Sequence, residues 1–469
     1  MSKTKANSRS TNFSIPPTGL PFPLRAYQRE GITFFVQNDA ALLADEMGLG
    51  KTVQTILAIR CLVDKNLCQR VLVVTPRSLC KNWQSEFKTW APKLLVRIVQ
   101  GNARNRQAQY HLPIPVLIAT YEQVRLDRDL FDRDSEFDVV VLDEAQRIKD
   151  QSSSTSVACR GIPRRRSWAL TGTPVENHPD DLISLFSFIK RQLLFRGIAV
   201  GELHARIKPF FLRRTKKDVL PELPPILIQD LNLELSGHQL AAYETLWQSR
   251  STLRRNRNSS NSEGHLLALI TKLKLVCNFE PESGESVKLE ALKVILENLS
   301  LPTDKALVFS QYVRSLKSLS KQIGGIPSRI FHGEMPEQMR EETIRWFREC
   351  PGPCVLLMSI KAGGVGLNLQ EASTVIMFDR WWNPAVEDQA IQRAHRFGRR
   401  RPLHVFRFLV DDTIEQRIDT LLREKRILFK RYVEGADNAE VPALSSSDLW
   451  KILGMAPDTE LRAKQRRRK

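Results

Sequence analysis

Twice along the chain, short runs of β-branched and aliphatic residues recur at intervals long enough to hold a helix. The first series is "AALLA" from Ala40, "VLVVT" (Val71 to Thr75), "VLIAT" (Val116 to Thr120), "DVVVLD" (Asp138 to Asp143) and "WAL" (Trp168 to Leu170). The second is "KALVF" (Lys305 to Phe309), "RIF" (Arg329 to Phe331), "CVLLM" (Cys354 to Met358), "TVIMF" (Thr374 to Phe378) and "LHVFRF" (Leu403 to Phe408). Runs that are apolar on both faces need cover on both sides, which a parallel sheet between helical layers provides. The pattern predicts an α/β fold with two tandem lobes, each built on its own parallel sheet. At 469 residues the chain has room for roughly three units of ~150 residues.

Between the two series the pattern turns helical and basic. "LSGHQLAAYETLWQSRSTL" and "HLLALITKLKLVCNF" flank the Asn/Ser-rich "NRNSSNSEG" (Asn256 to Gly264), which reads as two helices joined by a loop. The expected division is a polar N-terminal tail at 1–20, a first lobe at 21–195, a helical insertion and linker at 196–287, a second lobe at 288–435, and an extension with a basic tail at 436–469. Within that extension "SSSDLWKILG" reads as a short docking helix. No apolar run approaches the ~20 residues of a membrane span, and the N-terminus lacks the apolar core of a signal peptide. A protein without membrane contact is expected, in the cytoplasm and nucleoid of a bacterium or the nucleus of a eukaryote.

Seven scattered cysteines do not form a disulfide framework, and "CPGPC" (Cys350 to Cys354) lacks the second pair of a zinc site; reduced thiols are expected. Charge says more. Lys and Arg number 71 against 52 Asp and Glu, a formal balance of +19. The basic residues bunch at Arg164 to Arg166, in "RRTKK" (Arg213 to Lys217), in "RFGRRR" (Arg396 to Arg401) and in the tail from Arg462. Clustered cations of this kind predict a polyanionic partner.

The chemistry concentrates in "ADEMGLGKT" (Ala44 to Thr52), a strand, a turn with two glycines, and a helix from Lys51 to Leu62. This is the context of a phosphate loop, although Asp45 stands where the strict pattern G-x-x-x-x-G-K-[ST] has glycine. Gly48 and Gly50 free backbone N–H groups to face phosphates, Lys51 suits the β- and γ-phosphates, and the Thr52 hydroxyl suits Mg²⁺. "VVVLDEAQRIKD" supplies the partner site, with Asp143 for the metal and Glu144 to polarise water. "ALTGTPVEN" (Ala169 to Asn177) ends another strand in small hydroxylated residues suited to sensing the γ-phosphate. ATP and Mg²⁺ are the cofactors this set predicts.

With "DEMGLGKT", "DEAQRIKD" and "LTGTP" in order, the chain resembles the superfamily-two helicase-like ATPases, and specifically the Swi/Snf-type double-stranded DNA translocases. The resemblance runs from Leu24 to about Lys430 through "LRAYQREG", "TPRSLCKNWQSEF", "ATYEQV", "FFLRRTKKDVLPELP", "KLVCNFEP", "LVFSQYV", "FHGE", "SIKAGGVGLNLQEA" and "WWNPAVEDQAIQRAHRFG". It implies two RecA-like lobes, an adenine contact at Gln28, nucleotide contacts at Gln146 and Gly366, and arginine fingers at Arg393 and Arg396. In that family Asp45 is a usual residue. Two departures stand out: Gln146 where His is common, and "HRFGR" where "HRIGQ" is common, which puts Arg399 in place of Gln.

By the same resemblance, DNA contacts fall to Pro76, Lys81, Asn82 and Thr120 in the first lobe, and to Ser310, His332, Ser359, Gly363, Gly364 and Trp381 in the second. Hydroxyls, amides and glycine-exposed N–H groups bind phosphates without reading bases. The expectation is a monomeric, DNA-dependent ATPase that translocates on duplex DNA and acts on DNA-bound complexes such as RNA polymerase or nucleosomes. A strand-separating RNA or DNA helicase and a non-catalytic nucleic-acid scaffold are the alternatives. The second would be expected to have lost Lys51, Asp143, Glu144 or the arginines, and all are present.

Overall fold

The computed structural model describes residues 19–131, 136–172, 179–195, 197–198, 200–255, 262–299, 301–363, 367–382, 384–396, 398–432 and 446–455. The expected tail at 1–20, the loop tip at 256–261, Thr173 to Asn177 of the sensor segment, Gly364 and Gly366, and the basic tail from Arg462 lie wholly or mostly outside these residues. The chain separates into two compact units, divided between Val219 and Leu220.

The first unit carries β1 (Ala40–Leu43), β2 (Val71–Thr75), β3 (Val96–Ile98), β4 (Val116–Thr120), β5 (Phe137–Asp143), β6 (Arg164–Leu170) and β7 (Phe211–Leu212). They form one sheet in the order β3-β4-β2-β5-β6-β1-β7, every pairing parallel. Successive β2 residues serve opposite cores: Leu72 and Val74 join one apolar cluster, and Val71 and Val73 the other. This is why Val71 to Val74 are all apolar and the only polar residue, Thr75, stands at the C-terminal end. Helices cover both faces, and each buried Val or Leu contributes about 1.5–3 kcal/mol.

The second unit carries β8 (Ile226–Leu233), β9 (Lys305–Ser310), β10 (Ser328–Phe331), β11 (Cys354–Ser359), β12 (Thr374–Met377) and β13 (Leu403–Val410). Their order is β10-β11-β9-β12-β13-β8, again all parallel. With β7 set aside, the two sheets match strand for strand. Fold class follows the expectation of two parallel-sheet α/β lobes.

One part of the sequence reading needs correction. β8 falls inside the segment expected to be helical, 196–287, yet it pairs with β13 over eight residues from Ile226 opposite Leu403 to Leu233 opposite Val410. As an edge strand it needs only one neighbour, so "ILIQDLNL" keeps exposed positions, Leu227 and Ile228 among them, and does not show the all-apolar signature of a central strand. The two expected helices are present as Gly237–Arg255 and Ser262–Asn278. Their apolar faces pack with Ile414–Tyr432 and with the docking helix Ser446–Ile452, where Leu449, Trp450, Ile452 and Leu453 are buried. A fully buried ion pair, Lys288 Nζ to Glu415 Oε1 at 2.6 Å, ties this helical layer together.

All seven cysteines are free and six are buried. Burial pushes the thiols of Cys68 and Cys159 up to about 12. Of the basic runs, Arg164 to Arg166 serves the fold: Arg164 donates to the carbonyls of Ile162 and Phe188, Arg165 pairs with Glu136 and Asp138, and Arg166 pairs with Asp39. Among the described residues no helix is long and apolar enough to cross a membrane.

Candidate active site

In the first unit the C-terminal ends of β1, β5 and β6 bring three sequence motifs together. Leaving β1, the chain turns through Gly48 and Gly50, whose φ angles of 89° and 73° lie in the left-handed region that glycine occupies without strain. Gly50 is the N-cap of the helix Lys51–Asp64, so the loop's last N–H groups and the helix N-terminus point the same way. Ile56, Leu57 and Ile59 of that helix are buried, and Val53 packs at its margin.

Lys51 Nζ donates to the Asp45 carbonyl at 2.7 Å. Burial lowers its pKa, opposed by the negative field of Glu144, Asp45, Asp143 and Glu46. A Cβ built at Gly172 of "LTGTP" would stand 3.3 Å from that same ammonium and 2.4 Å from Met47 Cγ, so this motif borders the phosphate loop closely enough to require glycine or displacement of Met47. Gln28 sits on the other side, its side-chain oxygen accepting from Arg25 N at 3.0 Å and its Nε2 lying 3.0 Å from where a Gly50 Cβ would be.

Asp45 has a different task from phosphate binding. Its carboxylate is completely buried and accepts from Arg214 Nη2 at 2.6 Å, Arg214 Nε at 3.0 Å and Gln54 Nε2 at 3.2 Å. Arg214 also donates to Glu30, to Gln54 Oε1 and to the Tyr27 carbonyl. Burial alone would lower the Arg214 pKa, but the Asp45 and Glu30 contacts raise it. Glu46 extends the clamp by accepting from Lys216 N at 2.7 Å. "DE" of the loop therefore fastens it to "RRTK". Neither partner follows from the phosphate-loop pattern, and the only sequence signal was the pair of charges themselves.

At the end of β5, Asp143 accepts from Trp83 Nε1 at 2.7 Å, from Thr75 Oγ1 at 3.1 Å and from the Glu144 N–H at 3.0 Å. Burial first, and the Glu144 charge second, raise its pKa. Glu144 adopts a positive φ of 53°, a strained backbone for a residue with a side chain. Its carboxylate accepts from Gln146 Nε2 at 2.7 Å, and Gln146 Oε1 accepts from Thr171 Oγ1 at 3.0 Å. Gln146, one of the two departures, thus bridges the acidic motif to the "LTGTP" strand. Thr75 and Trp83 were not among the predicted site residues, whereas Thr171 belongs to the segment expected to sense the γ-phosphate.

One buried and one half-buried carboxylate, Asp143 and Glu144, in the field of Lys51 suit a divalent cation. Thr52 at the head of the helix and Asp143 are the residues that would hold it; Mg²⁺ needs few protein ligands when phosphate oxygens and water complete its octahedron.

The expected DNA-contact residues also gather at strand ends. Thr75 and Thr120 are register partners on β2 and β4, which places Pro76 beside Thr120. Lys81 and Asn82 are exposed in the first turn of the helix Cys80–Trp90, whereas the Thr120 hydroxyl caps the next helix by accepting from Gln123 N at 3.1 Å. In the second unit Ser310 and Ser359 are register partners on β9 and β11, with His332 following β10 and Gly363 following β11. Ser310 is completely buried, and its hydroxyl donates to Asp379. Trp381 is half-buried, with its N–H on Glu387 Oε1 at 2.6 Å. Glu387 also holds Arg380, a buried pair that sequence reading did not single out.

Arg393 and Arg396 sit on the turn after the helix Pro384–Ile391; Arg393 is buried, Arg396 half-buried, and the Arg393 carbonyl accepts from Leu369 N at 3.0 Å.

Comparison with known proteins places these motifs. The sequence model described as "SNF2-related domain" matches residues 27–196 and 197–281, and that of the "Helicase conserved C-terminal domain" matches 287–398. A Mycoplasma pneumoniae protein named "Uncharacterized ATP-dependent helicase" is 36% identical over 92% of this chain and 44% of its own length. The mouse "SWI/SNF-related matrix-associated actin-dependent regulator of chromatin subfamily A member 1" is 32% identical over 88% of this chain and 44% of its own. The chain thus spans less than half the length of these curated relatives. Among solved structures, the Sulfolobus solfataricus SWI2/SNF2 ATPase core in complex with dsDNA is 30% identical, covers 94% of this chain and 97% of its own, and gives a TM-score of 0.44.

Proposed function

The chain belongs to the SNF2-related ATPase family, and from that premise we propose that it is a motor on duplex DNA, coupling ATP hydrolysis to movement along the double helix and to displacement or remodelling of proteins bound there. The observation that carries this reading is the hydrogen bonding of Asp143. Its carboxylate is held by Thr75 and Trp83, the residues that flank Pro76, Lys81 and Asn82 in sequence. A change of charge at the metal-binding carboxylate is thereby felt by the segment proposed to grip the phosphate backbone.

ATP with Mg²⁺ supplies an activated γ-phosphate when bound. Gly48, Gly50 and the helix N-terminus offer N–H donors to the phosphates, and Lys51 exchanges its bond to the Asp45 carbonyl for a phosphate oxygen. Gln28 contacts the adenine. Glu144, oriented by Gln146, accepts the proton of the attacking water. Arg393 and Arg396 neutralise charge that develops on the phosphates, with Gly366 at the nucleotide. Pro76, Lys81, Asn82 and Thr120, and on the second unit Ser310, His332, Ser359, Gly363, Gly364 and Trp381, engage the backbone with little base specificity; for the buried Ser310 and capping Thr120 the contact is indirect, through the backbone they position.

ATP turnover measured with duplex DNA, single-stranded DNA and RNA, for wild type and Lys51→Ala, tests this reading. Strongest stimulation by duplex DNA, ATP-dependent displacement of a third strand from a triplex, and loss of both in Lys51→Ala are expected, with stimulation weakening steeply as salt rises. Robust unwinding of a blunt duplex would favour a strand-separating helicase. No turnover by folded protein at saturating DNA would favour a scaffold.

A further inference from the structure

Arg399 is the second departure from the family pattern, and its surroundings give it a task. It donates to five backbone carbonyls: Nη1 to Gln370 at 3.2 Å, Ala372 at 2.6 Å and Ala394 at 3.3 Å, Nη2 to Pro402 at 2.8 Å, and Nε to Arg401 at 2.6 Å. No carboxylate is among these partners. Burial and the nearby Arg401 push its pKa down to about 10, so the cation is held by carbonyl dipoles alone. Gly398, at φ 94°, turns the chain back to bring the side chain over its own turn. Two further bonds frame the same place, from Leu369 N to the Arg393 carbonyl at 3.0 Å and from Arg399 N to the Arg396 carbonyl at 3.3 Å.

We propose that Arg399 is a positioning residue whose guanidinium locks the turn carrying Arg393 and Arg396 against the Gln370 to Ala372 loop, so that both arginines are set before nucleotide arrives. The inference rests on the reading of those two as the charge-neutralising groups of ATP hydrolysis. Its chemical basis is the fork. A planar guanidinium carries five N–H donors in fixed directions and can span three peptide segments. The amide of Gln has two donors and reaches fewer carbonyls. A Lys ammonium keeps the charge but loses the planar geometry. A pre-set turn pays its ordering cost during folding, and the benefit is realised in the transition state.

Arg399→Gln, Arg399→Lys and Arg399→Ala in the full chain test this, with folding checked by circular dichroism. The expected result is a kcat lowered about 10- to 100-fold, a KM for ATP within about threefold of wild type, and faster hydrogen exchange of the Leu369 amide in nucleotide-free protein. Lys should resemble Gln, and millimolar guanidinium should restore part of the Arg399→Ala rate. The proposal is overturned if folded variants exchange Leu369 at the wild-type rate, or if exchange accelerates while kcat stays unchanged. Should Arg393→Ala itself retain full kcat, the catalytic reading of Arg393 fails, and Leu369 exchange still decides whether Arg399 clamps the turn.

Discussion

The two sheets share one strand order but differ in what their C-terminal edges carry. β2 and β9 occupy the same place, as do β4 and β11, and each pair ends in a hydroxyl: Thr75 and Ser310, Thr120 and Ser359. In both units the first hydroxyl donates to an aspartate at or just past the end of the neighbouring strand, Thr75 to Asp143 and Ser310 to Asp379. There the likeness ends. In the first unit that aspartate lies beside Glu144 in the negative field that surrounds Lys51. In the second it belongs to a buried network, accepting from Asn278, which in turn accepts from Lys288, and no phosphate loop follows the strand equivalent to β1. One architecture thus serves two chemistries, and the distinction lies in a few side chains at the strand ends.

If the second unit's network is structural, breaking it should cost stability most. Lys288→Met strands Glu415 in a fully buried site and is expected to destabilise that unit by about 3–5 kcal/mol, while the double variant with Glu415→Leu recovers most of the loss. Denaturant unfolding checks both, and equal stability of single and double variants would refute the pairing. In the first unit the matching experiment restores the strict pattern: Asp45→Gly leaves Arg214 without its buried carboxylate and should cost about 3 kcal/mol. A variant as stable as wild type would mean that Asp45 is not the anchor described above.

A third substitution acts on rate. Gln146→Leu cuts the bridge between Glu144 and Thr171 and should lower kcat about tenfold with little change in melting temperature, whereas Gln146→His should stay near wild type. Steady-state kinetics of the pair decides whether the bridge matters. The smallest effect probes the shared hydroxyl: Thr75→Ala and Ser310→Ala should each cost about 1 kcal/mol of stability, but only Thr75→Ala should alter ATP turnover measured without DNA. A comparable rate loss from Ser310→Ala would erase the contrast between the edges.

Much of the fold was legible because central strands declare themselves. β2, β4, β9 and β11 are buried on both faces and show unbroken apolar runs. β8 was missed because an edge strand tolerates polar and exposed positions, so its eight-residue pairing leaves no such signature. The candidate nucleotide residues were legible by motif, since a phosphate loop demands glycines, a lysine and a hydroxyl in consecutive places. Their supports were not found: Thr75, Trp83 and Arg214 reach Asp143 or Asp45 from 60 to 169 residues away.

By itself the sequence determined the two parallel-sheet lobes and singled out the candidate phosphate loop and acidic pair, because strand periodicity and local turn chemistry are written over a few neighbouring residues. Tertiary structure alone decided why Asp45 stands where a glycine was expected, how Gln146 substitutes as a bridge, and where Arg399 spends its charge. Each of these depends on a partner brought near only by folding, and burial makes the hydrogen bond strong enough to matter.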